Sequence, residues 1–258
     1  MPHMGAVRQL RYSYRALFGW LRPLDYAILM FLEPAAQLVF FAMLGRFGPQ
    51  DAAFYVVGNA VRLMSVSAVF GATSVILNER RQGTLSALLA TPTPAAEAFY
   101  GRALLQGLSG ILTAMFALGL GAALFGLDLG HAAVGWTLAA LLVTAMSLSG
   151  LGLLLANASL VGTNPNLLLN IVFYGLIVVT GANVPLADLP APLALVGRSV
   201  PLTHGLEAVR RAVAGDPRGM APLLWTELLI GAAYALAGIL LFRLAERHAR
   251  RSGSLELV

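Results

Sequence analysis

Apolar residues gather in six long runs, at about 24–44, 54–77, 99–125, 132–156, 166–184 and 222–244, and most polar residues fall between them. Each run is close to the ~20 residues that a helix needs to cross ~30 Å of hydrocarbon. Inside a bilayer the backbone must satisfy its own hydrogen bonds, so each run predicts a transmembrane helix. The expected fold class is therefore all-α and polytopic, with six spans. The third run is rich in Gly and other small residues. In the sixth, Gly231, Ala235 and Gly238 form a small-residue stripe at helical spacing. Such stripes let helices approach closely, and this one predicts a packing face. A turn around Asp128 to His131 separates the third and fourth runs, and 157–165 is a short loop without charge.

The segments outside the runs have patterns of their own. Near the start, Leu10, Tyr14, Leu17 and Leu21 share one helical face, and Arg8, Arg11, Arg15 and Arg22 lie on another. This predicts an amphipathic helix in the headgroup region over residues 1–23, with Trp20 as an interfacial anchor. No apolar core precedes a small-residue cleavage site there, so the pattern is not that of a cleavable signal peptide. The six-span domain then occupies 24–258. Between the fifth and sixth runs, residues 185–221 carry prolines at 185, 190, 192, 201 and 217, which no unbroken helix accommodates. Two short apolar helices are expected in that segment. In the second, Leu202, Leu206, Val209 and Val213 share a face while Glu207, Arg210 and Arg211 point elsewhere. They read as helices dipping into or lying on the outer leaflet, shielded by protein.

The most structured polar stretch is 78–94, Asn-Glu-Arg-Arg-Gln-Gly-Thr-Leu-Ser-Ala-Leu-Leu-Ala-Thr-Pro-Thr-Pro. Glu79, Arg80 and Arg81 form a charged root, and Gly83 turns the chain. Thr84 is placed to cap a short helix whose Leu85, Leu88 and Leu89 fall at i, i+3 and i+4 and so share a face. Pro92 ends it, and Thr93-Pro94 reads as the start of the next helix. A surface helix with leucines on one side suits docking into a soluble partner; an ordinary basic loop is the plainer reading.

Composition agrees with a membrane protein. The chain of 258 residues is 58% hydrophobic and 11% charged, with mean hydropathy +0.77, more apolar than a soluble domain of this size requires. The net charge is +5, and all 17 basic residues are arginine. The arginines flank apolar runs, which is membrane placement and argues against a nucleic-acid partner. Eleven lie on the side of the two termini and 78–94, and five on the other, with Arg62 inside a span. That asymmetry places both termini and 78–94 in the cytoplasm and 185–221 outside. Without cysteine there is neither a disulfide nor a thiolate metal site. Without lysine there is no P-loop, so any ATP-driven step needs an ATPase on another chain.

Catalytic constellations are not expected. His3, His131, His204 and His248 are scattered and H-E-x-x-H is absent. Ser147 and Ser149 lie in the fourth run, with no histidine in any run to activate them. The charges inside the membrane carry more information. Glu33 in the first run and Arg62 in the second sit at similar depths, so they either pair or each face a water-filled path. Glu227, near the outer end of the sixth run, is the rival partner for Arg62.

The run Glu79-Arg80-Arg81-Gln82-Gly83-Thr84-Leu85, followed by Leu88-Leu89-Ala90-Thr91-Pro92, resembles the cytoplasmic signature of type-2 ABC exporter permeases. That group includes daunorubicin-type drug exporters, nodulation-factor exporters and polysaccharide exporters. The resemblance extends to the number and spacing of spans. Pro201-Leu-Thr-His204-Gly-Leu-Glu207 also looks like the group's sequence before the last span. The resemblance implies that 78–94 holds a coupling helix seated on an ATPase and that Glu79 or Arg80 pairs with it. It implies an elbow helix over 1–23 and re-entrant outer helices, Arg210 included, before the last span. It implies two ATPase chains carrying ATP and Mg, a second permease chain, identical or related, and no cofactor on this chain. The location would be a bacterial plasma membrane, in contact with lipid, and the cargo a drug-like natural product, lipid or lipid-linked glycan. A secondary transporter would place ionisable groups near the midplane of an internally repeated chain, and no repeat is evident. A membrane enzyme acting on a lipid-linked substrate is the other alternative.

Overall fold

The computed structural model of the chain describes residues 28–45, 47–83, 95–157 and 165–252, and among them all regular structure is helical. Helix α1 is Glu33–Gly45, entered through a π-helical turn at Ile28–Leu32. Helix α2, Ala52–Ser65, passes through a second π-turn, Val66–Phe70, into α3, Gly71–Arg81. Then follow α4, Ala95–Phe125, and α5, Val134–Ala156. Helix α6 is Pro165–Val179, and the short helices α7, Ala191–Ser199, and α8, Thr203–Val213, lead to α9, Met220–Ser252.

Among the described residues, four helical stretches are long and apolar enough to cross a membrane: Ala52–Val75, Gly101–Phe125, Val134–Ala156 and Met220–Leu244. They coincide with the second, third, fourth and sixth runs. The first and fifth runs correspond to shorter apolar helices, Glu33–Gly45 and Asn166–Val179. The fifth differs most from expectation, since the sequence predicts a helix to 184. Gly181, at φ +82°, turns the chain soon after Val179, and Pro185 fixes the next corner. An apolar run alone does not distinguish helix from a buried turn.

The core is built around α2, α4, α5 and α9. Lipid is as apolar as leucine, so these helices gain from close packing and interhelical hydrogen bonds more than from burial of apolar area. The α5–α9 contact is the most extensive. A Cβ at Gly150 would stand 2.5 Å from the Gly231 carbonyl oxygen, and one at Gly231 would overlap the backbone of Ser147. The stripe expected in the sixth run is thus a packing face. Two hydrogen bonds stitch the same seam: Ser147 Oγ donates to the Glu227 carbonyl at 3.0 Å, and Asn157 Nδ2 donates to the Gly238 carbonyl at 3.1 Å. The apolar face of α8 is filled as its spacing predicts, with Leu202, Leu206, Val209 and Val213 all buried. By contrast, α1 and α6 leave Phe40, Met43, Leu44, Leu167, Ile171 and Tyr174 exposed on the monomer.

Candidate functional site

Arg62 and Glu227 are among the largest fully buried side chains of the protein. Burying an ionised group inside a membrane protein is costly unless every donor or acceptor is met. The two are held by different partners.

Arg62 lies on α2, three residues after Asn59, so the two side chains share a helical face. Its Nε donates to Asn59 Oδ1 at 3.0 Å, and its Nη2 donates to Gln37 Oε1 of α1 at 3.1 Å. The guanidinium carbon sits 5.0 Å from the centre of the Phe41 ring and 5.6 Å from that of Phe173, within cation–π range. Glu33 is not its ion-pair partner. Gln37 Nε2 donates to Glu33 Oε1 at 3.3 Å, so one glutamine amide joins the acid to the cation. The similar depths of Glu33 and Arg62 do place them on neighbouring helices, and the contact between them runs through Gln37. The network continues beyond Asn59, whose Nδ2 donates to the Tyr55 carbonyl and to Asn183 Oδ1. A polar line thus crosses from exposed Glu33 on α1, through α2, to Asn183 beyond α6. The sequence reading missed Gln37, Asn59 and Asn183. Their signal was available: amides inside apolar runs, at i+4 from Glu33 and i−3 from Arg62.

Glu227 does not meet Arg62 either. Its Oε1 accepts the Leu202 N–H at 2.7 Å and its Oε2 the Gly205 N–H at 3.0 Å. A carboxylate from α9 therefore caps the first turn of α8, where free N–H groups and the helix dipole favour negative charge. Leu202, the residue before α8, has φ +95°. That conformation costs a residue with a Cβ about 1–3 kcal/mol and persists only where its surroundings impose it. Pro201 and Leu202 are buried, and His204 Nε2 lies 3.0 Å from the Arg198 carbonyl, tying α8 back to α7.

At the other end of α8, Glu207 pairs with Arg211 one turn on, at 2.9 Å on the partly exposed side. Arg210, expected off the apolar face of α8, reaches back into the protein. Its Nη2 donates to the carbonyls of Phe54 at 3.2 Å, Gly181 at 2.9 Å and Ala182 at 3.2 Å, and its guanidinium carbon lies 3.7 Å from the Phe54 ring centre. Gly58 faces the same spot, and a Cβ there would overlap the Ala182 carbonyl oxygen. Turning at Gly181 leaves carbonyls without helical partners, and one guanidinium nitrogen, Nη2, supplies the donors.

The charged root of 78–94 is partly described. Helix α3 ends at Arg81, the Gln82 N–H bonds to the Asn78 carbonyl at 2.9 Å, and Gly83 takes φ +69°, the left-handed conformation that closes many helices. Glu79 is engaged within the chain, accepting a hydrogen bond from Arg102 Nη1 of α4. Thr84, Leu85, Leu88 and Leu89 lie outside the described residues, as do the expected interfacial helix over 1–23 and the side chains of Arg80 and Arg81. Among the described residues no group of three or more His, Asp or Glu side chains is arranged to hold a metal ion.

Comparison with known proteins gives these features a context. The sequence pattern of the ABC-2 family transporter proteins matches residues 39–243, from within α1 to within α9. The chain belongs to the ABC-2 transporter family. Curated proteins gave no match. The family match runs through α2, the charged root, the α5–α9 seam and the α7–α8 segment. It identifies these helices as the membrane domain of an ABC transporter and supports an exporter permease, a transport subunit that is not itself catalytic.

Proposed function

We propose that this chain is the permease subunit of an ATP-driven exporter in a bacterial plasma membrane. It works with two P-loop ATPase chains, which carry ATP and Mg, and with a second permease chain, identical or related. The observation that carries the reading is the ABC-2 match over 39–243, within which α3 delivers a charged root to the leucine-faced loop 78–94. In this reading α1 and α6 complete six spans. Helices α7 and α8 are re-entrant from the outer side. Loop 78–94 is the coupling helix, with Leu85, Leu88 and Leu89 buried against the ATPase. Glu79 is held by Arg102, so Arg80 becomes the charge that pairs with the ATPase. Closure of the ATPases pushes the coupling helix, and the continuous course of α3 into α2 carries the push past Arg62 to the outer side. The cargo is amphipathic: a drug-like natural product first, a lipid or lipid-linked glycan second.

Replacing Leu88 and Leu89 together by Asp tests the reading. It puts two charges into an apolar groove at a cost of several kcal/mol, and the P-loop ATPase should no longer co-purify with the permease. A doubly substituted chain that keeps its ATPase and still transports would overturn the assignment.

A further inference from the structure

Beside the backbone bond from the Ala133 N–H to the Ala212 carbonyl at 2.8 Å, helix α8 is held at two separated points by two ionisable side chains that bind backbone and not each other. At its first turn Glu227 reaches in from α9 and takes the N–H groups of Leu202 and Gly205. Two turns on, Arg210 reaches out from α8 to the carbonyls of Phe54, at the start of α2, and of Gly181 and Ala182, after α6. Buried Leu206 and Val209 lie between these points. Gly58 removes the side chain that would keep α2 from the Gly181–Ala182 turn. A short helix between two such clamps cannot shift at one end without loading the other.

We propose that α8 is a crossbar, with Glu227 and Arg210 as positioning residues that make the start of α2, the Gly181–Ala182 turn and the last span move as one unit. Glu227 holds the strained Leu202 corner, so the last span sets where α8 begins. Arg210 passes that position to the end of α2 farthest from loop 78–94. The inference deepens the proposed function, on which it rests for its purpose: movement of α2 driven by an ATPase would displace α8 and open or close the mouth beside it. The physical linkage itself needs no ATPase.

Amide hydrogen exchange on the purified chain alone tests it, in nanodiscs of phosphatidylethanolamine and phosphatidylglycerol. Glu227→Gln keeps the shape of the side chain but presents an amide N–H to one of the two donors. Exchange over 203–209 should rise by about tenfold, the factor for loss of one ordinary hydrogen bond. Exchange over 56–61, which Glu227 does not touch, should rise with it, while 101–125 stays at the wild-type rate. In an Arg210→Gln background the same change should still loosen 203–209 but add nothing at 56–61. In the wild type, at a pH where closing is slower than chemical exchange, both segments should open at one common rate. Glu227→Gln that loosens 203–209 and leaves 56–61 unchanged overturns the crossbar, and so do unequal wild-type opening rates. If a variant also loosens 101–125 it has lost its fold, and the wild-type rates decide. A negative result leaves ATPase docking untouched, and loss of docking leaves this result untouched.

Discussion

Arg62 is held by amides and aromatic rings, and this decides which substitutions should matter. Arg62→Gln strands Asn59 Oδ1 and Gln37 Oε1 and should cost about 2–4 kcal/mol, since hydrogen bonds to charged groups are the stronger class. Glu33→Gln should cost less than about 0.5 kcal/mol, because the residue is exposed and its glutamine contact survives the change. In double-mutant cycles read by chemical unfolding in detergent, Gln37→Leu with Arg62→Gln should show coupling near ~1 kcal/mol, and Glu33→Gln with Arg62→Gln about half that or less. A larger coupling for the Glu33 pair would mean the acid acts on the cation directly. The sequence made the existence of buried charge legible, because an acid or arginine inside an apolar run stands out. It did not reveal the partners. Depth along two spans brings many groups within reach, and the choice among them depends on rotation about each helix axis, which a single sequence does not encode.

Among the elements, the seam between α5 and α9 tests whether close approach holds the bundle. Gly231→Ala puts a methyl group into the backbone of Ser147 and should destabilise by about 2 kcal/mol or more, as overpacking of a filled interface does. Gly119→Ala, on α4 with open space around it, should be neutral or stabilising by up to ~1 kcal/mol through helix propensity. Thermal unfolding of both variants in one detergent gives the comparison, and equal shifts would remove close packing as the reason for the stripe. This element was legible because Gly231, Ala235 and Gly238 repeat at helical spacing. The end of α6 was not, because a hydropathy run does not register the left-handed turn that Gly181 makes. The capping of α8 was equally hidden, since Glu227 stands 25 residues beyond the Leu202 N–H it accepts.

For the whole molecule, the proposed six-span topology puts eleven arginines on one side and five on the other, and the positive-inside rule then predicts that both termini and 78–94 are cytoplasmic. The chain has no cysteine, so single cysteines report position cleanly. With an impermeant maleimide, Ser86→Cys should react only after the cells are opened, and Ala187→Cys should react in intact cells. The reverse pattern would invert the topology and take loop 78–94 away from the compartment where ATP is present. The membrane class and the family were legible from composition and from Glu79 to Pro92.

The central claim is that loop 78–94 docks on a separate P-loop ATPase. The most direct measurement places a photo-crosslinking amino acid at Leu88, irradiates intact cells, and identifies the adduct by mass spectrometry. The account predicts a single major protein adduct whose sequence contains G-x-x-x-x-G-K-[ST], lost when Leu85 and Leu89 are both replaced by Asp. Adducts confined to lipid, or to proteins without a P-loop, would contradict it.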